Sequence, residues 1–191
     1  TMVTNGEVDA LVAERVWKEL ERAIGNAEPC KFFQVIQACG AHLKLWPEIS
    51  AECLQNLAQA TRSTANPTFR LAACLQPLAQ DDFDRFCKHL TLPNQFAKIA
   101  KLVNRQFKAY EQLDTTQPQA LLDFIQKTDA LRQTTRFNEF CYICDIITDS
   151  NDNIKILTLQ KCVNAATKVD SQELQAKGLQ GQDFAKALDF G

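Results

Sequence analysis

The stretch PNQFAKIAKLVNRQFKAY, residues 93–110, decides the fold class. Phe96, Ile99, Ala100, Val103, Phe107 and Tyr110 recur at steps of three and four, the period of an α-helix. Pro93 stands at its start, where a missing N–H costs nothing. At about 100° per residue, Lys98, Lys101, Arg105 and Lys108 fall within an arc of about 80°, away from the apolar set. One face is built for burial and the other carries only positive charge.

The same punctuation extends outward. On the N-terminal side, Asp81-Asp82 caps a helix that reaches about Leu90, and Phe69 to Leu75 form one checked at Pro77. Residues 49–61 make another, and Leu43, Leu45 and Trp46 a short turn before Pro47. Pro29 opens a helix filled by Phe32, Phe33, Val35 and Ile36 and ended by Gly40. Residues 10–24 carry the stripe Val16, Trp17, Leu20 and Ile24 and stop at Gly25-Asn26. On the C-terminal side, Pro118 opens a helix through Leu121, Leu122, Phe124 and Ile125, and residues 134–148 make the next. Asp149 to Asn153 is a polar break and the best linker candidate. A helix from Ile154 to about Val169, one capped by Ser171, and one after the turn Gly178-Leu179-Gln180-Gly181 complete the chain. No heptad persists and no repeat recurs. The reading is all-α, with about ten helices in antiparallel pairs.

Composition agrees. The 191 residues are 46% hydrophobic, enough for a core, and only six glycines and six prolines argue against a sandwich or barrel built on many turns. The formal net charge of −2 does not announce a nucleic-acid binder, but leaves room for a local basic face. Eight cysteines at irregular spacing, most among apolar neighbours, read as reduced core residues of a cytoplasmic protein rather than a disulfide framework. No apolar run approaches the roughly 18 residues of a membrane span. Thr1-Met2-Val3-Thr4 resembles neither a signal nor a transit peptide.

Candidate chemistry is sparse. Cys141-Tyr142-Ile143-Cys144 has the spacing of a redox or zinc pair, but lies inside a helix with Phe140 and Ile146 beside it and has no second pair. It reads as core. Asp81-Asp82-Phe83-Asp84 could hold a divalent cation, but acids at a helix start are favoured by the exposed N–H groups. His42 and His89 have no activating neighbour and read as surface side chains. No phosphate-binding, metalloprotease or nucleophile-elbow motif occurs.

Charge is more informative. Arg85, Lys88, Lys98, Lys101, Arg105 and Lys108 occupy the segment 85–110, which contains no acid. Such a stripe suits a phosphate backbone, because it neutralises charge without reading sequence. Arg132 with Arg136, and Lys161 with Lys168, extend it more weakly, since Asp129, Glu139 and Asp170 lie close by.

One stretch is specific enough to name. Residues 6–20, GEVDALVAERVWKEL, resemble the neck of bacterial class II tRNA nucleotidyltransferases, the CCA-adding enzymes. The similarity continues through FFQVIQACGA, residues 32–41, to LWPEI, residues 45–49. It is looser at Leu92-Pro93-Asn94, at Ala100-Lys101-Leu102-Val103 and at Gly178 to Gln182. The resemblance implies a partial neck over 1–47, a helical body over 48–150 and a truncated tail over 151–191. It implies that Glu14, Arg15 and Glu19 brace the neck beneath a nucleotide pocket; Glu14–Lys18 and Arg15–Glu19 have the spacing of helix-surface pairs.

In the family a nucleotidyltransferase head precedes the neck. It carries a Gly-Gly-x-x-Arg-Asp signature, two metal-binding aspartates and a Glu-Asp-x-x-Arg element, none of which occurs in this sequence. The resemblance therefore implies a portion of such an enzyme with no catalytic residues or cofactor of its own. Mg²⁺ with CTP or ATP belongs to the head, and the portion's partner is tRNA, held at its acceptor and T arms. A poly(A) polymerase of the same superfamily, or a degenerate helical module for RNA or protein, are the alternatives. Many relatives also carry a His-Asp phosphohydrolase after the neck. Leu71 to Leu78 resemble the place of that dipeptide, where this chain has Gln76 and Pro77, which cannot replace His and Asp as metal ligands.

Overall fold

A computed structural model describes residues 13–149 and 154–168. Within them are ten helices and no strand. They are α1 (Ala13–Gly25), α2 (Pro29–Ala38), α3 (His42–Leu45), α4 (Ala51–Ser63), α5 (Pro67–Leu75), α6 (Gln80–His89), α7 (Asn94–Glu111), α8 (Pro118–Lys127), α9 (Thr134–Thr148) and α10 (Ile154–Lys168). The fold is all-α, as the periodicity predicts. Residues 10–12 of the first expected helix, most of the polar break at 149–153, the Ser171 cap and the turn at 178–181 lie outside the described residues.

Local chemistry sets the ends. Pro29, Pro67 and Pro118 occupy the first turns of α2, α5 and α8. The Ser50 hydroxyl accepts from the Cys53 N–H at 3.3 Å, and the Asn66 side chain accepts from the Thr68 N–H at 2.9 Å, capping α4 and α5. Gly40 follows α2 with φ +72°, a conformation glycine adopts without a Cβ penalty. One cap differs from expectation. Ala79 precedes α6, and Asp81 and Asp82 lie inside its first turn, where the exposed N–H groups favour them without a side-chain cap.

A continuous cluster of buried side chains runs from Val16 in α1 to Val163 in α10. α5 lies at its centre, packed against α1, α4, α7 and α9, with every residue from Arg70 to Leu75 buried. Trp17 of α1 meets Phe96 of α7 edge-on at 4.7 Å. Tyr110, Phe124, Phe137 and Phe140 join α7, α8 and α9 through ring contacts of 5.9–6.4 Å. Lys155 ties α10 to the end of α7. Its ammonium donates to the carbonyls of Tyr110 and Glu111 at 2.9 and 3.0 Å and lies 5.1 Å from the Tyr110 ring centroid.

Two polar side chains hold helix ends inside the packing. Arg70, only 5% exposed, donates to the carbonyls of Ile24 in the last turn of α1 and Asn26 just past it, and to those of Thr61 and Thr64 at the end of α4. The Asn104 amide of α7 donates to the carbonyls of Leu75, Gln76 and Leu78 at 3.2, 3.1 and 2.8 Å, closing α5. An Asn104→Ala chain should lose about 1–3 kcal/mol, because these carbonyls lose their donor. Asn104→Asp should lose more, since it turns a donor into an anion facing three oxygens. Urea midpoints check the order, and equal midpoints for the three chains would remove this role.

Candidate nucleic-acid interface

α7 divides as its sequence predicts. Phe96, Ile99, Ala100, Val103, Phe107 and Tyr110 are buried, while Lys98, Lys101, Arg105 and Lys108 are exposed. α6 packs beside α7 and adds Arg85 and Lys88, both exposed. The packing thus brings all six cations onto two neighbouring helices.

The stripe is not wholly unpaired. Arg85 meets Asp82 at 2.7 Å, and Arg105 meets Asp84 at 3.9 Å across the α6–α7 seam. The segment 85–110 contains no acid, but Asp82 and Asp84 in α6 just before it supply the two partners. Lys88, Lys98, Lys101 and Lys108 have no ion pair among the described residues. The seam also shows in Cys87. Burial pushes its thiol up to about 11, Asp84 adds to the rise and Lys101 opposes it. Lys101 and Asp84 thus act on one point between the helices.

Lys108 borders a cleft of about 510 Å³ that also contains Glu52, Asn56, Gln76 and Glu111. That end of the stripe is therefore mixed in sign. The Gln76 side-chain Oε1 accepts from the Asn56 side-chain amide at 3.1 Å, a neutral contact.

Glu14, Arg15 and Glu19, the positions expected to brace a neck, lie on α1. Glu14 pairs with Lys18 at 2.8 Å, and that hydrogen bond, more than the charge alone, lowers the Glu14 carboxyl below its ordinary value. Glu19 pairs with Arg22 at 3.6 Å instead of with Arg15. Both spacings suit a helix, and Arg22 is the partner Glu19 takes. Arg15 is exposed and has no carboxylate partner among the described residues. These are solvated contacts of small energetic weight.

Of the weaker candidates, Arg136 meets Asp129 at 3.8 Å, which draws it away from a free basic face, and Arg132 and Lys161 are exposed. The Lys168 side chain lies outside the described residues.

Cys141 and Cys144 are buried in α9. Burial pushes the Cys141 thiol up to about 12 and Cys144 well above its ordinary value. Both stay protonated near neutral pH, which does not suit a redox or metal thiolate. Cys53 and Cys74 are buried too, Cys30, Cys87 and Cys162 half-buried, and Cys39 exposed, which departs from a wholly internal set. His89 is exposed, as expected. His42 is not a surface side chain: it is half-buried, with its Nδ1 enclosed and unpartnered. Its neighbours Leu43 and Lys44 are exposed, so nothing in the sequence marks it.

No helix among the described residues is long and apolar enough to cross a membrane. No family model matches the chain, and no solved structure matches it significantly. Curated relatives do. A CCA-adding enzyme of Coxiella burnetii is 38% identical over 190 residues, covering 98% of the chain and 50% of the relative. A CCA-adding enzyme of Pseudomonas putida is 32% identical over 189 residues, covering 96% and 51%. A multifunctional CCA protein of Nitrosococcus oceani is 28% identical over 232 residues, covering 98% and 57%. The chain spans about half the length of the curated relatives it matches.

Proposed function

The chain is a homologue of bacterial CCA-adding enzymes over about half their length, and from this relationship we propose that it is the tRNA-gripping, non-catalytic portion of such an enzyme. The observation that supports the grip is the exposed face of α7 with its neighbour α6, where Lys88, Lys98, Lys101 and Lys108 are free of ion pairs among the described residues. Lysines on two packed helices present point charges to phosphates without distinguishing bases. That suits an acceptor and T arm, an A-form stack recognised by shape and backbone.

In this reading, addition of CMP and AMP to the tRNA 3′ end, with Mg²⁺ and CTP or ATP, takes place in the cytoplasm on a head of Gly-Gly-x-x-Arg-Asp type. Among the described residues no group of three or more His, Cys, Asp or Glu is placed to hold a metal ion. In the proposed division of labour, the part of these residues is to hold the RNA. Glu14, Arg15 and Glu19 would brace the neck through their exposed face of α1 rather than touch nucleotide.

Fluorescence anisotropy with labelled tRNA tests the grip. Each phosphate contact contributes about −0.7 to −0.9 to the slope of log K against log salt. Four lysines give an expected slope of about −3 to −4, with affinity falling steeply above physiological salt. Absence of binding at low ionic strength, or a flat salt profile, would overturn the proposal.

A further inference from the structure

On the α6–α7 face, partnership sorts by side-chain type. Both arginines face a carboxylate: Arg85 donates to Asp82 at 2.7 Å, and Arg105 meets Asp84 of the other helix at 3.9 Å. None of the four lysines has an ion pair among the described residues. The acids of α6 sort as well. Asp81 is exposed in the first turn, pairs with no cation among the described residues, and does only what a helix start asks of an acid. Asp82, in the same turn, is half-buried against Arg85, and Asp84 reaches across the seam. Two of the three carboxylates thus engage guanidinium groups of the basic face itself.

We propose, resting on the tRNA-gripping role above, that Asp82 and Asp84 are specificity-determining residues of this face. By occupying its two arginines they make it favour the backbone of a stem over a single strand. The two cation types differ in what they recognise. An ammonium is a point charge that any phosphate satisfies, whereas a guanidinium is a planar fork that binds phosphate bidentately and also stacks on flat groups. Unpaired bases offer such flat faces, and single-stranded RNA is recognised by stacking them on aromatic rings or guanidinium planes. A stem keeps its bases stacked inside and shows mainly phosphates and 2′-hydroxyls. A free arginine therefore adds more to single-strand binding than to stem binding, while a lysine adds alike to both. Each carboxylate takes part of its arginine's fork and repels a phosphate approaching the same group. Discrimination then comes from a repulsive element set against the wrong ligand. Both pairs are exposed and hence weak, so the effect is several-fold rather than absolute.

Anisotropy at low salt with two labelled RNAs, tRNA and an unstructured uridine homopolymer of equal length, tests the role on the full chain. Asp82→Asn with Asp84→Asn should tighten the homopolymer about five- to tenfold and tRNA about twofold, so that the preference for tRNA falls at least about twofold. Asp81→Asn removes a charge from the same turn but frees no arginine. It should tighten both RNAs alike and leave the preference as it is. Adding Arg85→Lys and Arg105→Lys to the double Asn chain keeps every positive charge but removes both planar forks, and should restore the parent's preference. The four exchanged side chains all reach solvent, so circular dichroism should show the parent's helix content throughout. Equal tightening of the two RNAs by the Asn exchanges would overturn the proposal, as would a lowered preference that survives the Lys exchanges. A parent chain that binds neither RNA would remove the grip and this role with it. Binding with an unchanged preference would remove only the role of the two carboxylates.

Discussion

An Arg70→Met chain is expected to lose about 3–5 kcal/mol of stability, the largest effect of any single substitution considered for this fold. Methionine matches the bulk of the arginine stem, so little packing is lost. What disappears is the fork of donors. Carbonyls of Ile24, Asn26, Thr61 and Thr64 all lean on one guanidinium, at 2.7–3.4 Å. They belong to the ends of two helices, where backbone oxygens have no partner of their own and carry the negative pole of the helix dipole. Each carbonyl left dry costs about 1–3 kcal/mol, and water entering from the loop relieves part of the sum. A domain of this size has about 5–15 kcal/mol in all, so the variant should be half unfolded by modest urea or a few degrees of warming. Arg70→Lys should recover only part of the loss, because an ammonium cannot reach both helix ends at once. Urea unfolding followed by circular dichroism checks the series. A midpoint for Arg70→Met equal to the parent's would show that the carbonyls are satisfied otherwise.

The second large effect is on RNA. Changing Lys98, Lys101 and Lys108 together to Gln should weaken tRNA binding by about 10- to 100-fold at low salt and flatten the salt slope by about two to three. Helix content should hold, since glutamine and lysine have similar helix propensity and none of the three makes an ion pair among the described residues. Arg105 is left in place deliberately, because Asp84 already shares its charge. Unchanged anisotropy curves at low salt would show that the α7 face is an ordinary solvated surface.

The two effects differ in how visible they are in the chain. The α7 face is legible because helical periodicity is a local property: burial of Phe96 to Tyr110 fixes where Lys98 to Lys108 must point. Helix starts at Pro29 and Pro118, and the stop before Gly40, are legible for the same reason, since each depends on one residue's backbone chemistry. The start of α5 at Pro67 is not, because the sequence reads Pro67 as the end of a polar turn. The Cys141–Cys144 pair is legible as core from its apolar flanks. Arg70 is not. Its partners are backbone carbonyls up to 46 residues away, which have no side-chain signature, and it sits in a sequence, Thr68-Phe69-Arg70-Leu71, that looks like any amphipathic helix. The Asp84–Arg105 pair depends on how α6 lies against α7. Glu19 has two partners at allowed spacings, and the periodicity does not choose between them. His42 is enclosed by the packing of α2 and α4 around a four-residue helix, which no local pattern announces.

The interior has one more consequence, for its response to acid and base. The buried polar or charged residues are Arg70 and Thr128, so no carboxylate in the described core must ionise or be neutralised as pH falls. The thiols are another matter. Burial raises Cys87 to about 11 and Cys141 to about 12, and lifts Cys74 and Cys144 well above their ordinary value. A group whose folded pKa lies above its unfolded one favours folding fully below the unfolded value, about 8.5 for a thiol, and loses that contribution as pH rises toward the folded value. The soft edge of this core therefore lies on the alkaline side. Melting temperature should be level through mild acid and fall between about pH 9 and 12. Exchanging Cys141 and Cys144 for alanine or valine should shift that decline to higher pH, whatever it does to stability at neutrality.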